Sequence, residues 1–291
     1  PTPGMQWAVS TDMLVEGRHF VSTVSPQALG HKALAVNLSD LAACGAKPVA
    51  FTLSLALPRA DDRFVAGLAE GLFAIADAHG IELVGGDTTA GSLTLSITVF
   101  GEVPPGQALL RSGARPGDEL WVSGTLGGAR LGLEALRGAV SLPQREAESA
   151  RRALERPEPR VALGLALRGV ASAAIDLSDG LLGDLGHILE RSGVGATIDA
   201  ASLPCPRAVA RLPAAWRWRC VLAGGDDYEL LFTASPGQRA RVLAAARSAG
   251  VPVRCVGRIV AETGLTVREG DGQAMDLRGL ASFDHFRGDG V

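Results

Sequence analysis

Five short clusters of carboxylate and hydroxyl residues interrupt this chain, each where an apolar run breaks. They are Ser10-Thr11-Asp12, Asn37-Leu38-Ser39-Asp40, Gly85-Gly86-Asp87-Thr88, Asp176-Leu177-Ser178-Asp179-Gly180 and Gly224-Gly225-Asp226-Asp227. A carboxylate held beside apolar segments costs free energy unless something pairs with it. A fold that ends several strands in such clusters is expected to gather them around a cation, and hard oxygen donors flanked by hydroxyls and glycines suit Mg2+ carrying a polyphosphate. The chain has no Gly-x-x-x-x-Gly-Lys-[Ser/Thr] loop and no kinase His-Arg-Asp or Asp-Phe-Gly set, which sets aside the nucleotide folds that use them.

At 291 residues, 47% of them hydrophobic and 20% charged, the chain is globular and long enough for two domains. A net charge of -3 leaves no electrostatic footprint for nucleic acid. No apolar run approaches the ~20 residues that span a bilayer. Cys44, Cys205, Cys220 and Cys255 form no Cys-x-x-Cys pair, so reduced thiols in a cytoplasmic protein are expected. His19, His31, His79, His187 and His285 show no zinc spacing. Lysine occurs only at Lys32 and Lys47, arginine taking its place elsewhere. The chain opens at Pro1 without an initiator Met, and a segment upstream of it is expected.

The pattern predicts a strand over Gln6–Ser10 that delivers Ser10, Thr11 and Asp12 at its C-terminal end. Ser25-Pro26 reads as a helix start, Ser as N-cap and Pro in the first helical position. On that helix Asn37 and Asp40, three apart, share a face. A strand over Val49–Leu57, a helix over Asp61–His79, a short buried strand over Ile81–Val84 and an alternating strand over Leu93–Val103 complete the first half. Pro104-Pro105-Gly106 and the polar connector Arg111–Asp118 mark a boundary, giving domains 1–113 and 114–291. The second half is expected to hold strands at Glu119–Ser123, Ala173–Ile175, Tyr228–Thr233, Val253–Ile259 and Leu265–Arg268, with helices at Ala129–Leu136, Leu181–Ser192 and Gln238–Ala249. Alternating strands and helices in both halves predict an α/β or α+β fold, mixed sheets covered by helices.

Each cluster has a plain alternative. Asp176–Gly180 could be a strand-to-helix turn with Ser178 or Asp179 as N-cap; the functional reading puts two carboxylates at a helix N-terminus whose free N–H groups attract phosphate. Gly85–Thr88 could be a glycine turn capped by Asp, or a stretch where a nucleotide approaches bare backbone. Asp40 could face solvent, but Leu38, Leu41 and Ala42 surround it. Asp226 and Asp227 repel one another unless a cation or polar ligand lies nearby. Gly124-Thr125-Leu126-Gly127-Gly128 lacks dinucleotide spacing and is read as close helix–strand packing.

Taken in order, the stretches Ser10–Phe20, Ala35–Ala46, Gly85–Thr89, Arg111–Asp118, Ala174–Gly180 and Gly224–Leu230, with Phe283-Asp284-His285-Phe286, resemble the thiamine-monophosphate kinases. That family lies in the superfamily of aminoimidazole ribonucleotide synthetase and selenophosphate synthetase. Thr-Asp-x-Leu-Val-x-Gly-x-His-Phe, here Thr11–Phe20, singles out the kinases. The resemblance implies the two-domain fold of the aminoimidazole ribonucleotide synthetase type and phosphorylation of thiamine monophosphate by ATP, directly and in line. It implies Mg2+ ligands at Ser10, Thr11, Asp12, Asp40, Asp87, Asp176 and Asp179, and ATP contacts at Gly86, Asp87, Arg111 and Ser178. Acceptor contacts fall on His19, Asp226 and Phe283, and no covalent nucleophile is expected. The family carries a further ligand in a Gly-Asp-Asp stretch upstream of the first strand, and Pro1 lies downstream of it. A homodimer through the N-terminal half is implied, with the strands Val49–Leu57 and Leu93–Val103 offering apolar faces. Alternatives are another ATP-dependent enzyme of the superfamily or a non-catalytic nucleotide-binding regulator.

Overall fold

The computed structural model describes residues 1–283. Its contacts sort into two units, one of Pro1–Ala108 with Glu155–Leu165, the other of Leu109–Leu154 with the residues from Ala166 on. Among the described residues no helix is long and apolar enough to cross a membrane.

The first unit comprises β1 (Gln6–Val15), α1 (Pro26–Ala43), β2 (Lys47–Leu57), α2 (Asp62–His79), β3 (Glu82–Ala90) and β4 (Thr94–Val103). Its strands form one sheet in the order β1-β4-β2-β3, antiparallel except for the β2–β3 pair. The predicted start of α1 is observed: Ser25 Oγ accepts the Ala28 amide at 3.2 Å and Pro26 follows. α1 packs on the sheet, and Leu34, Leu38 and Leu41 lose their water together with Phe51, Leu95, Ile97 and Val99. Each such burial is worth about 2 kcal/mol relative to exposure. α2, capped by Asp61, crosses α1 at glycines: a Cβ on Gly30 would strike the Leu68 carbonyl, and one on Gly71 the Gln27 carbonyl. Bare backbone is what lets these two helices touch.

The chain continues through β5 (Glu119–Ser123), α3 (Gly128–Leu136) and α4 (Gln144–Glu155). α5 (Val161–Ala166) then belongs mostly to the first unit, where Gly164 lies against the Ala42 carbonyl and His31 Nε2 meets Pro157 O at 2.8 Å. The second unit resumes with β6 (Ala173–Asp176), α6 (Leu181–Ser192), β7 (Gly195–Asp199), α7 (Arg207–Ala210) and α8 (Ala214–Ala223). It closes with β8 (Leu230–Ala234), α9 (Arg239–Ala249), β9 (Val253–Val260) and β10 (Gly264–Arg268). The sheet order is β10-β7-β9-β5-β8-β6, parallel only at β10–β7. Leu120, Val122, Ile175, Leu185, Ile188, Ile198 and Leu231 are part of its core.

The mixed α/β architecture is as expected, with differences in particular elements. β1 runs five residues past Ser10, because β4 goes on pairing with it as far as Val15. β3 runs on through Gly85 and Gly86 rather than ending at Val84, and it is exposed rather than buried, because it is the edge strand of the sheet. α5, β7, α7 and α8 are not among the expected elements, and β8 starts at Leu230 rather than Tyr228; α8 alternates Trp216-Arg217-Trp218-Arg219, a period-two pattern that reads as strand.

Candidate active site

Because β1 continues, Ser10-Thr11-Asp12 lies inside a strand, and neighbouring side chains face opposite sides of the sheet. Ser10 and Asp12 share rows with Val99 and Ile97, on the face that α1 covers. Thr11 pairs with Thr98 on the other face, the two hydroxyls 2.8 Å apart. The last turns of α1 reach the first face: Ser10 Oγ donates to Asp40 Oδ2 at 2.5 Å, and the Asp12 amide donates to Asn37 Oδ1 at 3.1 Å. Asn37 is steadied by its own amide on the Ala33 carbonyl, 2.9 Å away. Asn37 and Asp40 therefore do share a face, and that face meets β1.

Asp87 lies across the sheet. β3 pairs only with β2, and all its residues are exposed. Val84 is an extra residue between the pairs Leu83↔Phe51 and Gly85↔Thr52, a bulge placed just before the glycines. Gly86 has φ 157°, and a Cβ there would strike the Leu53 carbonyl. The glycine serves a close strand pairing, where a capped turn is the plain alternative. Asp87 shares a row with Ser54, Ser96 and Met13, hence the Thr11 face, three strand spacings or roughly 14 Å from β1.

His19 sits in the turn that follows β1. Its amide donates to the Val15 carbonyl and its Nδ1 accepts the Val15 amide, both at 3.0 Å. Lys32, only 2% exposed on α1, places Nζ 3.4 Å from the His19 carbonyl.

In the second unit β6 delivers Asp176, which is buried. The two remaining acidic loops zip together by backbone: Leu177 N donates to Glu229 O at 2.9 Å, Tyr228 N to Leu177 O at 2.8 Å and Asp226 N to Ser178 O at 2.8 Å. Asp226 (φ 67°) and Tyr228 (φ 49°) are held in the left-handed region, and Tyr228 OH donates to Asp226 Oδ1 at 3.1 Å. Such non-glycine conformations cost on the order of 1–3 kcal/mol each and cluster at working sites. Asp227 turns the other way. Its Oδ2 accepts the Gly127 amide at 2.8 Å, at the start of α3, whose N-cap glycine has no side chain to do so. Although the residue is half-buried, its carboxyl is enclosed. Burial pushes it well above the usual carboxylate range, the Gly127 and Ala129 amides opposing this and the Glu229 charge adding to it. Gly127 packs on the Cys220 backbone of α8, so its close contact is with a helix and not a strand.

Neither Ser178 nor Asp179 caps α6; the N-cap is Gly180, with no side-chain bond. Asp184 reaches back instead, Oδ2 accepting the amides of Asp179 and Gly180 at 3.1 Å. Burial, then the nearby Asp179 charge, push its carboxyl up to about 7. Gly183 N donates to Ser282 Oγ at 2.8 Å, and Phe283 N to Asp179 O at 3.0 Å. Several N–H groups that would be open to phosphate are thus taken by the protein. Asp284, His285 and Phe286 lie outside the described residues. Arg111 is exposed, and its connector is held by the far end of α6: Ser192 Oγ accepts Gly113 N and Ala114 N at 3.2 Å and donates to Arg111 O at 3.3 Å.

Lys32, Asp184 and Ser282 are absent from the sequence-derived site. A lysine kept in an arginine-rich chain and an acid in a first helical turn are signals by which the first two could have been found. Among the described residues, no three Asp, Glu, His or Cys side chains stand together as a complete metal cage. Carboxylate and hydroxyl oxygens, with Asp40 already fixed by Ser10, fit Mg2+, which prefers a few protein oxygens completed by substrate phosphates.

Residues 1–103 match the model of AIR synthase related protein, N-terminal domain, and residues 115–270 that of AIR synthase related protein, C-terminal domain. The two-sheet fold and its acidic loops thus define an AIR synthase related protein. A chain 44% identical over 285 residues, covering 96% of this chain and 86% of its own length, is the thiamine-monophosphate kinase of Salmonella typhimurium. The chain belongs to the thiamine-monophosphate kinase family. The crystal structure of thiamine-monophosphate kinase from Stenotrophomonas maltophilia K279a agrees with TM-score 0.89 at 47% identity, covering 94% of this chain and 88% of that one. AaThiL complexed with AMPPCP and TMP agrees with TM-score 0.83 at 29% identity, covering 98% and 89%.

Proposed function

We propose that the protein moves the terminal phosphoryl group of ATP directly and in line onto the phosphate of thiamine monophosphate, giving thiamine diphosphate. The observation that carries this reading is the likeness to thiamine-monophosphate kinases along 96% of the chain. The pairing of AMPPCP with TMP in AaThiL supports both substrates.

An acceptor phosphate oxygen is already anionic, so the reaction needs no strong base; the obstacle is repulsion between two polyanions. Several Mg2+ ions, shared out among Ser10, Thr11, Asp12, Asp40, Asp87, Asp176 and Asp179, would supply the neutralising charge. Since the Thr11 hydroxyl faces away from Ser10 and Asp12 and meets Thr98, Thr11 contributes through its backbone carbonyl. The guanidinium fork of Arg111 grips nucleotide phosphate. Gly86 and Asp87 meet the nucleotide along β3, and Ser178 meets it from the loop after β6. His19 accepts Val15 N at Nδ1, so the neutral ring keeps its proton on Nε2, the donor for an acceptor phosphate oxygen. Asp226 and the face of Phe283 favour the cationic ring of the acceptor. Residues 1–113 would carry the dimer contacts and residues 114–291 the remaining loops, in a cytoplasmic homodimer.

ADP release measured with thiamine monophosphate tests the assignment. Release is expected to require the acceptor, to stop on chelation and to return with Mg2+. Turnover stimulated by an aminoimidazole precursor and not by thiamine monophosphate overturns it.

A further inference from the structure

A glycine inside a helix lowers its stability relative to alanine, and Gly183 is the third residue of α6. Its reason is steric: a Cβ at 183 would lie 2.8 Å from both Cβ and Oγ of Ser282. Ser282 Oγ accepts the Gly183 amide from a position 99 residues further along the chain. It thereby does for α6 what an N-cap side chain does locally, at a helix whose own N-cap is Gly180. Met275, Leu277 and Leu280 pack against the core of the same unit and lead the chain there. One residue later the Phe283 amide closes on the Asp179 carbonyl. Two successive residues are therefore bound to one turn, Ser282 by its side chain and Phe283 by its main chain.

We infer that Ser282 is a positioning residue of the acceptor site. Seated on Gly183, it holds Phe283 at the loop that carries Ser178 and Asp179, so the aromatic ring and the acidic loop keep a fixed relation. Gly183 is the other half of the device, small because Ser282 must come close. The inference rests on the reading of Phe283 as a contact to thiamine monophosphate.

Steady-state kinetics on the full chain separate the two. Ser282→Ala and Gly183→Ala are each expected to raise KM for thiamine monophosphate about ten-fold, the size of one lost hydrogen bond. KM for ATP and kcat at saturating acceptor should stay within about two-fold, the pattern of lost acceptor binding alone. Phe283→Ala is the reference and should raise the same KM. If Phe283→Ala raises it and the other two leave it unchanged, the positioning role is wrong and the substrate contact stands. If Phe283→Ala leaves it unchanged, the contact itself is wrong, and the inference falls with it. If Ser282→Ala shifts both KM values and lowers kcat together with the melting temperature, Ser282 is merely structural.

Discussion

Asp40 sits one turn from the end of α1, between Ser39 and Leu41, and Ser10 Oγ donates to its carboxylate. That Asn37 and Asp40 act from one face was legible, because helical spacing alone fixes it. The division of Ser10-Thr11-Asp12 between two faces was not, because nothing local tells whether a strand stops at Ser10 or runs on. Thr11-Asp12-Met13-Leu14 does not alternate in polarity, and it is β4 that supplies the partners as far as Val15. The faces make a prediction. Asp40→Asn should lower kcat by several orders of magnitude, the ~3–5 kcal/mol of a lost electrostatic partner, in a protein that still folds. Thr11→Val keeps the branched shape and a carbonyl, so its kcat should stay within about ten-fold. Equal losses in Asp40→Asn and Thr11→Val, measured by single-turnover ADP formation, would contradict the facing of these residues.

Between elements, the acidic loops are organised by their own carboxylates and by Asp184, which no motif singled out. The like-charge conflict of Asp226 and Asp227 is resolved by divergence: Asp226 stays beside Tyr228, while Asp227 caps α3. The sequence marked the pair as costly without showing which way each turned, since that depends on α3, a hundred residues earlier, presenting an uncapped start. The folded Asp227 carboxyl holds its proton to higher pH than in the unfolded chain. The folded state therefore binds more protons, and its contribution to stability falls as pH rises from about 4, until the folded group itself ionises. Asp227→Asn keeps a carbonyl acceptor for Gly127 and cannot ionise. Thermal melting followed across pH should show a shallower decline for Asp227→Asn than for the parent, and identical slopes would remove the argument.

At the scale of the molecule, the two-sheet α/β architecture was readable from alternation, but the segment Glu155–Leu165 was not. Its tie to the first unit depends on Gly164 fitting against Ala42, a contact with no sequence signature. The apolar faces expected of β2 and β4 are covered by the chain's own α1. On β1, Trp7, Val9 and Met13 stay 45%, 56% and 55% exposed, Trp7 edge-on to Phe100. These three residues now carry the expectation of a homodimer through the first unit. Light scattering at micromolar concentration should give twice the 30.0 kDa of the chain, and Val9→Asp should give the single mass. A single mass for the parent with full activity would refute it. α6, meanwhile, grips a different loop at each end: Asp184 holds the amides of Asp179 and Gly180, and Ser192 those of Gly113 and Ala114. Seen through isotope exchange, these four protons share one gatekeeper. Fraying of either end frees one pair, whereas opening of the whole helix releases loops far apart in sequence at a common rate, so the arginine connector and the acidic loop loosen as one body.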